Sequence, residues 1–495
     1  MFKQVFARCS QNMEHSMINK LLSATAIGVV MSVGFASGAQ AQAAQDCTDG
    51  TGANSLQCGD GSNAAGDQST ALGDFAQATG EDSTAVGNGA QASNDSTTAV
   101  GESATASGNN STAIGDNAGA IGNESTAIGV NSEANGEDST ALGQFAVADG
   151  DFSTAVGQSS EANGDNATAV GEDAVADGSE STAVGRNAQA LSDDSTAIGE
   201  DALAEGEDTT AIGEDAIANA DDATAVGQNA QALATFATAI GEDSLADGFN
   251  STALGNEADA GGANSVALGA DSNAEAEFAT AIGQAANADG FNSTAVGNAA
   301  DAGGEDSTAL GADSDAAGEN ATAVGQGANA EGEDSTAVGT GSSAEGENAT
   351  AIGRSANASA EDSTAVGEDA QATGTDSTAV GEDAQATADD ATALGQGAIA
   401  DFENTTAVGQ GAQARAFNAT AVGEEAIAEG VDGTAVGNGA SAGGENATAI
   451  GTTANASAED STAVGEDAEA SGTNSTALGE DSIANAFNAT ALGQN

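Results

Sequence analysis

A short run of small and apolar residues recurs along this chain at a fixed step. Ser69-Thr70-Ala71-Leu72-Gly73 is followed by Ser83-Thr84-Ala85-Val86-Gly87, and the last copy is Ala489-Thr490-Ala491-Leu492-Gly493. The spacing is always 14 residues, so (493 − 73)/14 = 30 steps gives 31 copies. With each glycine taken as position 0, position −1 is always Val, Ile or Leu and position −2 is always Ala. Position −3 is Thr in every copy but one, where it is Val266. Positions +3 and +5 are mostly Ala or Ser, as in Ala174 and Ala176, and +7 is often Gly, as in Gly178. Positions +1, +2, +8 and +9 are mostly Glu, Asp, Asn, Gln or Gly. A period held this strictly marks a stacked structural repeat, because disordered sequence has no reason to keep a register.

The pattern predicts two short strands and two turns per 14-residue coil, hence an all-β parallel solenoid over residues 69–495. Alternation puts −3 and −1 on one face of the first strand and −4 and −2 on the other. Glycine at 0 and often at +7 supplies tight corners with positive φ. The β-branched positions and paired corners favour strands over a helix of the same period, and no proline interrupts the ladders. One coil buries one aliphatic side chain, worth roughly 1.5–3 kcal/mol, while each ordered residue costs about 1–2 kcal/mol of backbone entropy. A coil therefore folds only as part of a stack. The aliphatic row at −1 is expected to take the interior, with Thr on its side. The Ala row at −2 is expected to be buried between chains.

Composition changes the picture at two points. The 495 residues carry a formal net charge of −71 with no Pro, Trp or Tyr, a balance that suggests disorder until the repeat is seen. Residues 1–43 read as a secretory signal peptide: Asn19-Lys20 precede an apolar stretch from Leu21 to Phe35, then Ala39-Gln40-Ala41 and Ala41-Gln42-Ala43 offer cleavage sites. Translation starting at Met17, or an extended signal, fits the same features. Cleavage removes Lys3, Arg8, Lys20 and Glu14, leaving 77 − 1 = 76 acids, 6 − 3 = 3 bases and a net charge of −73. Nucleic acid and anionic lipid are repelled by such a surface. Residues 44–68 form an N-terminal cap region. Cys47 and Cys58 are an even pair in an exported chain and read as a disulfide. Cys58 precedes Gly59, and 59 + 14 = 73, so it stands at position −1 of a degenerate first coil.

The repeat resembles the 14-residue head repeat of YadA-like trimeric autotransporter adhesins, whose pattern reads roughly SVAIG-x-x-S-x-A-x-G. Ser265-Val266-Ala267-Leu268-Gly269 matches its first half, and Gly157-Gln158-Ser159-Ser160-Glu161-Ala162-Asn163-Gly164 its second. The resemblance covers residues 55–495. It implies a left-handed parallel β-roll, a homotrimer, and display on the outer surface of a Gram-negative bacterium, where heads of this type bind host matrix, cells or other surfaces. Thr in place of the usual Val at −3 makes the repeat more polar. Nothing after Gly493 resembles a neck, stalk or membrane barrel, so membrane attachment is expected only through an anchor that this chain does not contain.

Chemistry-bearing residues recur as ladders. Asp193-Asp194, Glu207-Asp208 and Asp221-Asp222 occupy one corner of three successive coils, with Glu200-Asp201 and Glu214-Asp215 at the opposite one. Carboxylates about 4.8 Å apart repel, so a solvated acidic face is expected, with Ca²⁺ a candidate counterion at Asp193, Asp194, Glu207, Asp208, Asp221 and Asp222. No other cofactor is expected. Phe236 and Phe249 fall at +9 and +8 of adjacent coils, and Phe278 and Phe291 repeat them 42 residues later. These four are candidate ligand contacts. The mature chain has no His, Lys, Tyr or Trp, and its Ser, Thr and Asp single out no unique place, so no catalytic role is expected. The leading functional reading is an adhesin head. The alternative is a secreted ice-, mineral- or Ca²⁺-binding solenoid, which for ice requires the Thr row to face outward.

Overall fold

The structure is a computed structural model in which residues 47–493 are described. The signal-peptide reading falls outside those residues. Every full coil contributes a three-residue strand at positions −3 to −1, beginning with Thr70–Leu72 and Thr84–Val86. A two-residue strand follows at +4 and +5, as in Gln77–Ala78 and Gln91–Ala92. Each strand pairs in parallel with its equivalent one coil on: Thr70 with Thr84, Ala71 with Ala85, Leu72 with Val86, Gln77 with Gln91. In one coil the second strand thins to isolated bridges, Asn273 joining Asp259 and Asn287, and the register continues. No helix occurs among the described residues. Coils about 4.8 Å apart give the solenoid a length of roughly 150 Å.

Corners belong to the ladders as fully as strands do. The Gly73 amide donates to the Cys58 carbonyl at 2.8 Å, that of Phe75 to Asp60 at 2.7 Å, and that of Asp82 to Asp67 at 2.9 Å. Few backbone groups are left for water to satisfy, which lets so thin a structure persist.

The interior corrects the facing expected from sequence. Ala71, Ala85 and the other Ala at −2 as far as Ala477 are sealed inside with no accessible surface, together with the Ser, Ala, Thr or Gly at −4. Facing them across the coil are the residues at +3 and at +5, the latter Ala in every coil, for example Ala76 and Ala78. The Val, Ile or Leu at −1 and the Thr at −3 lie on the outer face, partly exposed. The Ala row is therefore each chain's own core and not a contact between chains. The reason is the width of the coil. Fourteen residues close two sheets so tightly that only Ala, Ser, Thr or Gly fits between them, and close packing has no room for branched side chains.

Some buried hydroxyls are satisfied locally, while others at −4, such as Ser111, Ser125 and Ser153, have no hydrogen-bond partner among the described residues. Ser69 Oγ donates to the Gly66 carbonyl at 2.6 Å and Thr209 Oγ1 to that of Gly206 at 2.7 Å. Across the coil, Ser132 Oγ donates to Gly129 at 3.0 Å and Ser314 Oγ to Gly311 at 2.9 Å. In each case a hydroxyl reaches back three residues to a turn carbonyl, so −4 and +3 are related positions. The coil is thus two seven-residue halves with one inward pattern: 0 matches +7, +3 matches −4, and +5 matches −2.

The halves differ at their first residue. Glycine at 0 holds φ between 104° and 153° along the stack, a region that L side chains avoid. A Cβ on Gly157 would lie 2.0 Å from the carbonyl oxygen of Gly171. At +7 the expected positive φ is absent. Its constraint is close approach alone, and Asn94, Ser192 and Ala220 replace glycine there. The left-handed positions are instead +2 and +9, filled mostly by Asp, Asn, Gly, Ser, Glu and Phe, with φ near 51–69°.

The N-terminal end is closed. Thr48–Asp49 pairs antiparallel with Leu56–Cys58, covering the first sheet edge. A disulfide joins Cys47 to Cys58, whose Cα atoms are 4.3 Å apart. Cys58 pairs with Leu72 in the parallel ladder, at the −1 position. The Thr51 amide donates to the Ala64 carbonyl at 2.9 Å, so the second sheet is capped as well. Such caps cover the open edge that every solenoid end exposes.

Candidate functional surface

Outside the core, the chain offers four surfaces: two sheet faces and two corners. The face of the longer strands is uniform. It carries one row of Thr and one of Val, Ile or Leu from end to end. Ile114, Leu142, Leu254 and Ile352 in that row are 39–43 % exposed. Among the described residues nothing seals them from solvent, so their invariance is not fully explained by the packing of these coils. The face of the shorter strands, at +4 and +6, varies. Val175, Leu191, Leu203, Ile217, Leu233 and Leu245 make one stretch of it apolar. Asp259, Asp301 and Asp315 make the next stretch acidic. Each of these three carboxyls is pushed above its ordinary range. Partial burial is the main cause for all three. Asp247 and Glu275 add repulsion at Asp259. Asp289 adds it at Asp301, against a hydrogen bond from Asn287, and Asp301 and Glu331 add it at Asp315.

Corner acids have structural work of their own. Asp193 Oδ1 accepts the Ser179 amide at 2.8 Å, and Asp221 Oδ1 accepts the Glu207 amide at 3.1 Å, each one coil away. Asp151 and Asp165 repeat the arrangement at 2.8 and 3.0 Å. Asp194, Asp208 and Asp222 occupy the left-handed position +9. An open groove at this corner is lined by Leu191, Asp193, Glu205, Glu207 and Asp221. Among the described residues no group of three or more His, Cys, Asp or Glu is placed to hold a metal ion. Arg186 pairs with Glu200, and Arg354 with Glu368, on the opposite corner.

The phenylalanines lie outside the coil. Phe236 meets Phe249 edge to face with ring centroids 5.8 Å apart, and Phe278 meets Phe291 in the same geometry. All four are 43–51 % exposed, so they pack on one another and not into the core. Sequence reading found these pairs through their 42-residue spacing. It missed the outward aliphatic row, which only the facing of the strands reveals.

The YadA head domain repeat matches the chain in successive segments, from residues 59–76 through 232–258 to 470–495. Among solved structures, the collagen-binding domain of the Yersinia adhesin YadA is 31 % identical over a match covering 28 % of this chain and 69 % of that one, with a TM-score of 0.21. None of the curated proteins compared with the chain matches it. The period, the two-strand coil and the repeat matches along residues 59–495 agree, and the chain belongs to the YadA head-repeat family.

Proposed function

We propose that this chain is the head of a trimeric adhesin, displayed on a Gram-negative surface and attaching the cell to host matrix, to cells or to other surfaces, with no catalytic role. Membership of the YadA head-repeat family supports the adhesin class. The observation that carries the trimer is the outward aliphatic row, Val, Ile or Leu in all 31 copies and partly exposed in the single chain. A row that is invariant yet contributes little to its own core calls for a partner as regular as itself, and a second and third copy of this chain meet that need. Covering the remaining half of each side chain is worth about 1 kcal/mol per coil, before the costs of association. Light scattering of the exported protein tests this directly. A trimer that binds matrix-coated surfaces is the expected result, and a stable monomer at micromolar concentration overturns it.

A second reading has its own observation. The Thr row at −3 also faces outward, as in Thr70, Thr84 and Thr98. A solitary chain would present a flat array of hydroxyl and methyl groups about 4.8 Å apart, suited to ice or a mineral lattice. The two readings use one face and exclude each other. Thermal hysteresis in solutions of a monomeric protein would favour the array. A trimer without hysteresis favours the adhesin.

A further inference from the structure

The two left-handed corners of the coil provide an internal control. Positions +2 and +9 are both left-handed, with φ near 51–69°. Across the 31 coils whose glycines run from Gly59 to Gly479, aspartate is about equally frequent at the two, ten at +2 and twelve at +9. Asparagine is not: four at +2 and twelve at +9. The left-handed preference of Asn applies to both corners alike, so it does not explain the difference. The corners differ in two respects: +2 is glycine in seven coils and +9 in none, and the residue two places on is different. After +9 it is the outward Thr of position −3, and eleven of the twelve Asn therefore stand in Asn-x-Thr. All eleven are exposed. The twelfth, Asn264, is followed by Ser265 and Val266.

The exposed phenylalanines concentrate at the same corner. Phe249, Phe291, Phe417 and Phe487 each immediately precede one of these Asn, giving Phe-Asn-x-Thr four times. Their rings are 40–70 % exposed and take no part in the core.

We propose that the +9 corner is an asparagine-glycosylation ridge. Asn-x-Thr on an exposed turn of an exported chain is the acceptor pattern for this modification. The Asn Nδ2 attacks the anomeric carbon of an activated sugar bearing a phosphate-linked leaving group. The N–C bond forms, the C–O bond to phosphate breaks, the nucleoside or lipid pyrophosphate departs, and one amide proton goes to the transferase. The retained N–H keeps the ladder: Asn250 Nδ2 donates to Asn264 Oδ1 at 3.0 Å, and Asn418 Nδ2 to Asp432 Oδ1 at 2.9 Å. An exposed Phe ring beside the acceptor gives the first sugar an apolar surface to lie against. Most acceptors are two or more coils apart, roughly 10 Å or more, which leaves room for a sugar on each. Asn404 with Asn418, and Asn474 with Asn488, are in adjacent coils, so one member of each pair is expected to be under-occupied.

The test is peptide mapping by mass spectrometry of the protein purified from its own cells. Sugar is expected on Asn250, Asn292, Asn320, Asn348 and Asn446, and absent from Asn264 and from Asn117, Asn131, Asn187 and Asn229 at +2. Thr252→Val should remove the sugar at Asn250 alone, and its fold is protected by the natural precedent of Val266. Unmodified Asn throughout, sugar on the +2 asparagines as often as on those at +9, or sugar persisting on Asn250 in T252V would each overturn the proposal.

Discussion

Ala267 and Leu268 are neighbours in sequence and lie on opposite sides of one sheet, the first sealed with no exposed surface and the second 38 % exposed. Substitutions at the two should behave in opposite ways. Ala267→Leu forces a branched side chain between sheets that admit only a methyl group, and should cost about 1–3 kcal/mol or more whatever the oligomeric state. Leu268→Ala should cost the isolated chain about 1–2 kcal/mol and also weaken the proposed trimer. Denaturation at two protein concentrations separates them: only the Leu268 variant should acquire a steeper concentration dependence.

Charge on the outward face should be tolerated by the coil and not by the proposed trimer. Replacing Leu254, Leu268 and Ile282 together by Glu leaves every Ala of the core in place. Three adjacent charges buried at an interface should each cost several kcal/mol. The expected product is a folded β-solenoid by circular dichroism whose trimer dissociates or opens around these coils, read by light scattering and hydrogen exchange.

The N-terminal disulfide should act locally. Replacing Cys47 and Cys58 by Ser should cost about 2–3 kcal/mol, as the loop-entropy argument gives for so short a ring. In a stack where each coil touches only its neighbours, the loss should be confined to the first few coils. Hydrogen exchange should show faster opening near Leu56–Cys58 and Thr70–Leu72, and no change beyond the middle of the rod.

Acid should stabilise the short-strand face at Asp259, Asp301 and Asp315. The carboxyls of Asp259, Asp301 and Asp315 are held above their ordinary range by burial and neighbouring acids. The folded state therefore binds protons more tightly than the unfolded one, and stability falls as pH rises through the window between the unfolded and folded values. At neutral pH the three charges destabilise. Asn at all three positions should raise the melting temperature at pH 7, by under about 1 kcal/mol per site because the groups are partly exposed and screened. The gain should vanish once the wild-type groups are protonated. An equal gain at low pH would mean that charge is not the cause.

Salt should stabilise the wild type at neutral pH. Corner carboxylates stack one per coil, as Asp193, Glu207 and Asp221 do, and monovalent salt screens exposed charges over about 8–10 Å. Since Asp193 and Asp221 are already engaged with backbone amides, NaCl and CaCl₂ at matched ionic strength should stabilise almost equally. A melting temperature unmoved by NaCl would refute the ladder argument. A large excess effect of CaCl₂ would show bridging.

The period, two strands per coil, the invariant glycine corner and the place of Cys58 in the first coil were legible in the chain, because each leaves its own mark at a fixed spacing. The facing was not. Alternation tells that Ala71 and Leu72 point opposite ways but not which way is in, and the usual rule that the larger apolar side chain goes inside chose wrongly. What decides is the distance between the two sheets, set by closing fourteen residues into a coil and not written at any single position. The left-handed corners were hidden for a similar reason. Phe75 and Phe236 hold positive φ although their residue type gives no hint of it, because the ladder of backbone bonds above and below imposes the turn.

The unbroken register has a consequence for how such a molecule can change. Every coil presents the same strand edges to the next, so a block of whole coils can be inserted or deleted in the middle without altering any interface. The length of the rod then becomes a quantity adjustable in steps of about 4.8 Å by recombination between near-identical repeats. The height of any outward residue, Phe249 or Asn446 alike, follows from its repeat number. The 42-residue echo that relates Phe236 and Phe249 to Phe278 and Phe291 has the length of such a three-coil step, and the same ring pair sits at both places on an unchanged core.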